Sequence, residues 1–416
     1  MCENQRVKAD HSASSGWWQG PGLPRFLADL MGAELGRLRP DLRGYSPAWS
    51  EATSLITGPM ALDSIDRLKL ASTVATALHF SSATVPDRLR EAPTFGDWVS
   101  EARRVAGHSD AAVAFRSSGS SGGPSSVLHE WSTLDQEVGA LAHLFAATRR
   151  IVAAVPAHHI YGFLFTVLLP SRLGCAVLDV RSGSPAALGA RLQAGDLLVA
   201  FPTVWEAASE ARVVWPAGVV GASSGAALKR GLFSELRERG LGGLIDVYGS
   251  TETGGIGWRT DGVGAFRLFE HWSKLDEDRL LKAAGAYPLP DAVTWVDPEH
   301  LIPGPRRDHA VQVGGVNVHP SRARSVLLAH DEVADAAVRL MRIDEGERLK
   351  AFVVPKDPQA DLRRLRASLV DWVETRLTVA ERPRAFRFGP GVPLTDAGKP
   401  ADWSIEPGVE EPGVER

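Results

Sequence analysis

Two cysteines, Cys2 and Cys175, are all that this 416-residue chain contains. One pair so far apart makes neither a disulfide framework nor a cysteine metal site, and a reducing cytoplasm is expected. The chain also lacks a long hydrophobic run. Its longest apolar stretch, around Tyr161–Leu169, is bounded by His158, His159, Pro170 and Arg172 and is too short to span a bilayer. The first twenty residues have no apolar core and no small-residue cleavage pattern, so no signal peptide is read there. A strong charge of either sign is missing too. The formal net charge of −4 gives no basic field that would favour nucleic acid. Lysine is scarce beside arginine, so any well-placed lysine stands out. What remains is an ordinary globular composition, 44% hydrophobic and 23% charged. It is long enough for two or three domains and a sizeable core.

The texture changes twice along the chain. Residues 1–20 read as a flexible tail. Residues 21–106 read as helical, with Leu23, Phe26, Leu27, Leu30 and Leu35 on one face. A second helix is expected to start at Asp63 or Ser64, both good caps, with Ile65, Leu68, Ala71, Ala75 and Leu78 as its apolar stripe. A third lies in Phe95–Val105. Over 107–304 short apolar runs (AAVAF, RIVAAV, CAVLDV, LLVAF, GVVGA, GLIDVYG) alternate with amphipathic segments. That alternation implies a parallel sheet covered by helices, with functional loops at the carboxyl ends of the strands. Residues 305–404 read as a small α+β domain with strands near Ala310–Val313, Ala336–Met341 and Lys350–Val354 and a helix over Asp361–Leu377. Residues 405–416, a Pro-Gly-Val-Glu near-repeat, read as a second flexible tail.

The first chemical signal directly follows AAVAF: Ser117, Ser118, Gly119, Ser120, Ser121, Gly122, Gly123 and Pro124. Glycines let backbone N–H groups converge on an anion, and serine hydroxyls add donors. A plain Ser/Gly linker is the alternative. The loop lacks the Gly-Lys-Ser/Thr end of a Walker pattern. A second signal is Asp-Val-Tyr-Gly-Ser-Thr-Glu-Thr-Gly at 246–254, at the end of an apolar run. A third is Asp291, fifteen residues before Arg306 in Arg306-Arg307-Asp308. A fourth is Gly398-Lys399 near the C-terminus.

Together, in this order, these segments resemble the adenylate-forming enzymes: acyl-CoA synthetases, peptide-synthetase adenylation domains and luciferases. The resemblance covers about Ala111–Trp403. It implies an α/β fold with a shortened large domain and a small mobile α+β C-terminal domain. It also implies ATP and Mg²⁺ as cofactors. Ser117, Ser118, Gly119, Ser120, Ser121 and Gly122 would then hold the leaving phosphates, with Ser125 where the family has lysine and Arg116 a partial substitute. Gly225 and Ala226 would pack against adenine. Tyr248 would stack on it, Gly249 would let the backbone come close, Thr251 would reach the α-phosphate, and Glu252 would ligate Mg²⁺. Asp291 would hold the ribose hydroxyls, helped by Arg306. Asp308 would be the hinge between two working orientations of the small domain. Pro305 and Gln312 replace the usual glycine and lysine. Lys399 would sit between the acid and the α-phosphate, where charge builds in the transition state.

Pro156–Gly162 resembles the segment that walls the acyl pocket in this family. His159, Tyr161, Gly162 and Phe163 are its candidates, and His159 is also a catalytic candidate. Adjacent histidines raise the question of a metal, but i,i+1 spacing is expected to put them on opposite sides of a strand. In the helical section, Leu62-Asp63-Ser64-Ile65 resembles the attachment site of acyl carrier proteins. Ser64 would then carry phosphopantetheine; the alternative is a capped helix. The compact length resembles the 4-coumarate:CoA ligases of photoactive yellow protein chromophore supply, and a hydroxybenzoate-type ligase is a near alternative. The expected activity is adenylation of a carboxylic acid, an aryl acid such as 4-coumarate, and acyl transfer to CoA. The rivals are loading of a carrier protein, Ser64's own arm included, and a non-catalytic nucleotide-binding homologue. No nucleic acid or membrane partner is expected.

Overall fold

Whether the helical opening is a separate body depends on where its apolar face goes. In a computed structural model the chain divides into two compact units, the first ending at Gly304 and the second beginning at Pro305. The structure describes all residues except 1–15, 40–41, 43–48, 59, 81–84, 107–111, 118–124, 261, 315, 343–344, 347, 394–400 and 406–416. Helices cover Gly22–Leu38, Ser64–Ala77, Val85–Glu91 and Phe95–Ala106. Leu23, Phe26, Leu27 and Leu30 share one core with Ile151, Val199, Ala222 and Ile245 from the sheet. The helices therefore pack on the sheet rather than around a core of their own.

Two expectations here are corrected. Trp17, placed in the flexible tail, is 5% exposed and packs on Phe26, Trp131 and Phe163. An indole has too much apolar surface to leave in water when a pocket is at hand. The helix Ser64–Ala77 does start on an Asp63 cap, whose carboxylate accepts from the N–H groups of Ile65 and Asp66. Of its expected stripe Ala71, Ala75 and Leu78 are buried, but Ile65 and Leu68 are exposed, and Leu70, Val74 and Ala77 turn inward beside them. Neighbouring apolar positions are all compatible with helical spacing, and tertiary packing selected among them in the first turns.

The nine-stranded sheet of the first unit runs in the order Asp291–Asp297, His300–Arg306, Phe266–Leu268, Gly254–Arg259, Gly243–Ser250, Val220–Ser224, Asp196–Ala200, Arg150–Ala153 and Ala176–Asp179. The last five strands are mutually parallel. From Gly243–Ser250 outward the pairing turns antiparallel. The parallel reading thus holds for half the sheet, because the strands past Ser250 are joined by hairpins rather than helices. AAVAF is not in this sheet. Ala112–Ser117 pairs with Ser125–Glu130 as a separate antiparallel ribbon. Chain order reverses between Arg150–Ala153 and Asp196–Ala200, and ligands of open α/β sheets bind at such a point, off the carboxyl ends. His158 and His159, Phe201, Gly225 and Thr251 all follow carboxyl ends of the parallel strands.

The second unit has a three-stranded sheet, Val333–Leu340, Leu349–Pro355 and Pro383–Phe388, and a short ribbon, Val311–Val313 with Val316–Val318. Helices Pro320–Leu328 and Leu362–Glu374 bury Ala323, Leu327, Leu365, Leu369 and Val373 against the sheet. Asp361 caps the second helix by accepting from the N–H groups of Arg363 and Arg364.

Candidate active site

The hairpin between Gly243–Ser250 and Gly254–Arg259 carries the Tyr-Gly-Ser-Thr-Glu segment at its tip. Gly249 is required there by close approach of the two strands. A Cβ on it would lie 2.2 Å from the Gly254 carbonyl oxygen, which no side chain tolerates. Tyr248 is half-buried with its ring against Phe266, and its hydroxyl donates to Asp291 Oδ2 at 2.6 Å. Asp291 is buried at the start of its own strand. Two residues expected to meet the base and the ribose, 43 positions apart, are thus side by side. Gly225 follows Val220–Ser224 with φ +90°, a left-handed conformation that glycine adopts without strain. Ser224 Oγ donates to the Val247 carbonyl at 2.7 Å, tying this strand to the one that bears Tyr248.

At the tip Glu252 is exposed, while its backbone N–H donates to Ser250 Oγ. The tip backbone is gripped from below by side chains that the sequence reading missed. His129 Nε2 donates to the Thr251 carbonyl at 2.7 Å, Glu137 Oε1 accepts from Gly255 N–H at 2.7 Å, Trp272 Nε1 donates to the Gly255 carbonyl at 2.8 Å, and Lys282 Nζ reaches the Thr253 carbonyl at 3.4 Å. Lys282 also sits over the rings of Trp272 and Tyr287, 4.5 and 4.3 Å from their centroids. Burial pushes the Glu137 carboxyl up to about 8, against the Gly255 N–H and the Lys282 charge, which favour its ionised form. Burial likewise lowers the Lys282 ammonium and the His129 imidazole, the latter with Lys282 adding to the depression and the Thr251 carbonyl and Glu252 opposing it. No spacing rule linked 129, 137 and 282 to the tip. Only the pairing of distant elements brings them there.

The turn after Arg150–Ala153 holds His158 and His159. Their ring centroids are 4.1 Å apart, not on opposite sides of a strand, because the strand has ended and the chain is turning into the helix at Ile160. His159 is open to solvent, yet enough protein surrounds it to lower its pKa, with Asp29 opposing the shift. Burial, with His159 and two arginines adding to it, takes His158 well below the ordinary imidazole value. Among the described residues no group of three His, Cys, Asp or Glu side chains is arranged to hold a metal. Gly162 sits against Pro156, where a Cβ would meet the carbonyl oxygen at 1.9 Å. The Tyr161 hydroxyl donates to backbone, lying 2.9 Å from the Ala222 carbonyl and 3.3 Å from that of Ala200. Phe163 is fully buried among Trp17, Phe26 and Phe115.

Other candidates are placed differently. Arg116 reaches Glu34 of the helix Gly22–Leu38 at 2.7 Å. Its guanidinium also lies 3.5 Å from Thr73 Oγ1. In the second unit Arg306 forks onto Asp308, at 2.8 and 2.6 Å, and together with the Ala310 N–H holds that carboxyl at about 2 against the opposing effect of burial. His309, next to it, has φ +58°. Gln312 donates to Asn317 across the short ribbon at 2.8 Å. Ser64 is exposed at the start of its helix. The Ser117 backbone ends its strand, but Ser118, Gly119, Ser120, Ser121 and Gly122 lie outside the described residues, as does Lys399.

The chain matches the family described as AMP-binding enzyme over residues 39–309, and that described as AMP-binding enzyme C-terminal domain over 325–399. It belongs to the AMP-binding, adenylate-forming enzymes, and it is an ATP-dependent, AMP-forming acid–thiol ligase. It is 38% identical over 390 residues to a protein named 4-coumarate–CoA ligase from Rhodobacter capsulatus, covering 91% of this chain and 99% of that one. A protein of the same name from Halorhodospira halophila is 36% identical, covering 90% and 97%. Among solved structures, o-succinylbenzoate CoA synthetase from Bacillus subtilis has a similar fold, with a TM-score of 0.59 at 19% identity over 70% of this chain and 68% of that one. Residues 39–309 include Ser64, so the family match takes in much of the helical section. No helix among the described residues is long and apolar enough to cross a membrane.

Proposed function

We propose that the chain activates an aryl acid of the 4-coumarate type and passes it to CoA. The names of the two relatives that match nearly end to end support this choice of acid and thiol. The observation that carries the nucleotide half is the 2.6 Å contact between Tyr248 and Asp291. A flat ring beside a buried carboxylate matches a nucleoside, whose base stacks while its diol is held by the carboxylate. Glycine-bordered Ala226 would close the adenine side, and the loop Ser117–Gly122 would take the β- and γ-phosphates. The donor set fits Mg²⁺ brought in by the nucleotide. Glu252 is an exposed carboxylate, and among the described residues it belongs to no group of three His, Cys, Asp or Glu side chains that could hold a metal by themselves, as expected where phosphates supply the other oxygens. Bound there, the cation would offset phosphate charge.

In the first step the acid carboxylate attacks the α-phosphorus, the bond to pyrophosphate breaks, and acyl-AMP forms. Thr251 orients the α-phosphate, and Lys399 meets the charge that builds on it. In the second step the CoA thiolate attacks the acyl carbon and AMP leaves. His159, Tyr161 and Gly162 wall the acid, with Phe163 behind them. Asp308 is the hinge between the two steps, its carboxylate kept in one geometry by the Arg306 fork. The test is acid-dependent exchange of labelled pyrophosphate into ATP across aryl and fatty acids. Exchange with 4-coumarate and close analogues is expected. Silence with every acid despite retained ATP binding would leave a non-catalytic homologue. Lys399→Ala should slow exchange by about 10²–10³ while sparing thioester formation from supplied acyl-adenylate. A second reading, a phosphopantetheine arm on Ser64 as acceptor, has the exposed hydroxyl in its favour. Incubation with a phosphopantetheinyl transferase and intact-mass measurement separates it from free CoA.

A further inference from the structure

We propose that His129 is a positioning residue for the nucleotide site: it locks the Thr251–Glu252 tip to the ribbon that carries the serine-rich loop. The inference rests on the reading of that tip as the Mg·ATP contact. The strand Ser125–Glu130 is the return strand of the ribbon whose other strand, Ala112–Ser117, ends where the loop begins. His129 is 4% exposed and pairs in register with Val113, and its ring meets Phe115 edge-on with centroids 5.8 Å apart. From that fixed seat Nε2 reaches across 122 positions to the Thr251 carbonyl at 2.7 Å.

The consequence is mechanical. The ribbon is not a strand of the nine-stranded sheet, so the sheet's own hydrogen-bond ladder does not tie the ribbon to the tip. The His129 bond joins the two directly. The other grips on the hairpin, Glu137 and Trp272 at Gly255 and Lys282 at Thr253, act on residues beyond Glu252. His129 acts on the residue before it. Held on both sides, the tip backbone leaves the Glu252 side chain facing solvent. Donation to a carbonyl requires a proton on Nε2, and burial together with the nearby Lys282 favours the neutral ring. The neutral Nε2–H tautomer is therefore the working form. Positioning of this kind contributes through geometry, and small misplacements of reacting groups are costly.

Two polar variants separate placement from mere folding. In His129→Gln the amide nitrogen falls near the position of Nε2. In His129→Asn it falls near that of Nδ1 and cannot span to Thr251. Steady-state kinetics with Mg·ATP and 4-coumarate varied in turn should show His129→Asn raising KM for Mg·ATP about tenfold and shifting the Mg²⁺ titration to higher concentration. KM for the acid should stay unchanged, and His129→Gln should remain within about threefold of the wild type. Equal KM for Mg·ATP in both variants and the wild type would overturn the proposal. So would a parallel rise in both KM values together with a lowered melting temperature, which would make His129 a packing residue only. Should the wild type exchange no pyrophosphate with any acid, the activity reading itself fails. Direct binding of Mg·ATP by calorimetry to the same variants then decides the positioning role separately.

Discussion

Two buried ionisable clusters, one in each unit, neutralise charge in opposite ways. Under the hairpin tip, Glu137 and Lys282 are surrounded by Trp272, Tyr287 and backbone, and burial wins: the acid is pushed up to about 8 and the lysine down. In the second unit Lys350 is fully buried, yet its ammonium meets Glu345 at 2.7 Å, Asp402 at 2.9 Å and the Trp403 carbonyl at 2.6 Å. There ion pairing wins. Burial works to raise the carboxyls of Glu345 and Asp402, but the hydrogen bonds led by Lys350 hold both below the ordinary range. The difference teaches what each cluster is for. A neutral acid that accepts an N–H fixes a hairpin without placing a net negative charge beside the proposed nucleotide site. A charged clamp fixes the chain that returns at Ala401, three residues before Ser404 and two after Lys399.

The largest way to break this comparison is to remove the titration of Glu137. Its folded pKa, about 8, lies above the ordinary glutamate value of 4.5. The folded state therefore holds a proton that the unfolded state releases between these values. This contribution is complete below about pH 4.5 and is lost as pH rises through about 8. At roughly 1.4 kcal/mol per unit the full effect is on the order of 4–5 kcal/mol, an upper bound after relaxation. Glu137→Gln keeps an acceptor for Gly255 N–H and cannot ionise. Denaturant unfolding across pH 5–8 should show the wild type losing stability while the variant stays flat. Parallel curves would make the two clusters alike.

Next in size is Lys350→Met. It leaves Glu345 and Asp402 without their common cation, and breaking a buried pair from one side costs about 3–5 kcal/mol. The lower figure is expected, because the Asp402 side chain is 41% exposed and can return to water. The loss should show as earlier unfolding of the C-terminal unit, with the first unit's transition unmoved. The paired carboxylates are held low, so their contribution exists above the unfolded carboxylate range and disappears as pH falls through the folded values. The variant should therefore lose the wild type's acid sensitivity there. Retained acid sensitivity in Lys350→Met would assign it to other carboxylates.

Asp291→Asn is smaller and acts on binding. The carboxylate is the acceptor of the Tyr248 hydroxyl and the proposed partner of the ribose. Charged hydrogen bonds contribute about 1.5–3 kcal/mol each, so KM for ATP should rise roughly 10- to 100-fold while KM for the acid holds. Equal shifts in both would make Asp291 a structural partner of Tyr248 alone.

These residues also mark how far the sequence was readable. Tyr248, Gly249, Thr251 and Glu252 stood out as candidates because they are contiguous and resemble one family motif. Asp291 was legible through its spacing to Arg306. His129, Glu137 and Lys282 were not. They carry no motif, and their importance lies in reaching backbone groups more than a hundred residues away or across hairpins. The five parallel strands followed from alternation, but the antiparallel half did not, since hairpin pairing leaves a weaker pattern than buried βαβ units. In Ser64–Ala77 the buried Ala71 and Ala75 were read correctly, but Ile65 and Leu68 were misjudged for a related reason. The helix has little amphipathic contrast, so sequence alone could not say which side meets the core.

That helix supplies the smallest expected effect. Ser64 is exposed, its cap is provided by Asp63, and Ile65 and Leu68 beside it also face water. Replacing Ser64 by Ala removes no hydrogen bond of the cap, so stability should move by less than about 0.5 kcal/mol. The kinetic outcome is sharper. With free CoA as acceptor, Ser64→Ala should turn over at the wild-type rate, because the acyl group passes to a diffusible thiol. With the chain's own arm as acceptor, the variant would still exchange pyrophosphate but stall after one acyl-adenylate per site. A burst of one equivalent of pyrophosphate followed by arrest would therefore move the acceptor from CoA to Ser64, whereas linear release in the presence of CoA leaves Ser64 a surface hydroxyl at the start of a capped helix.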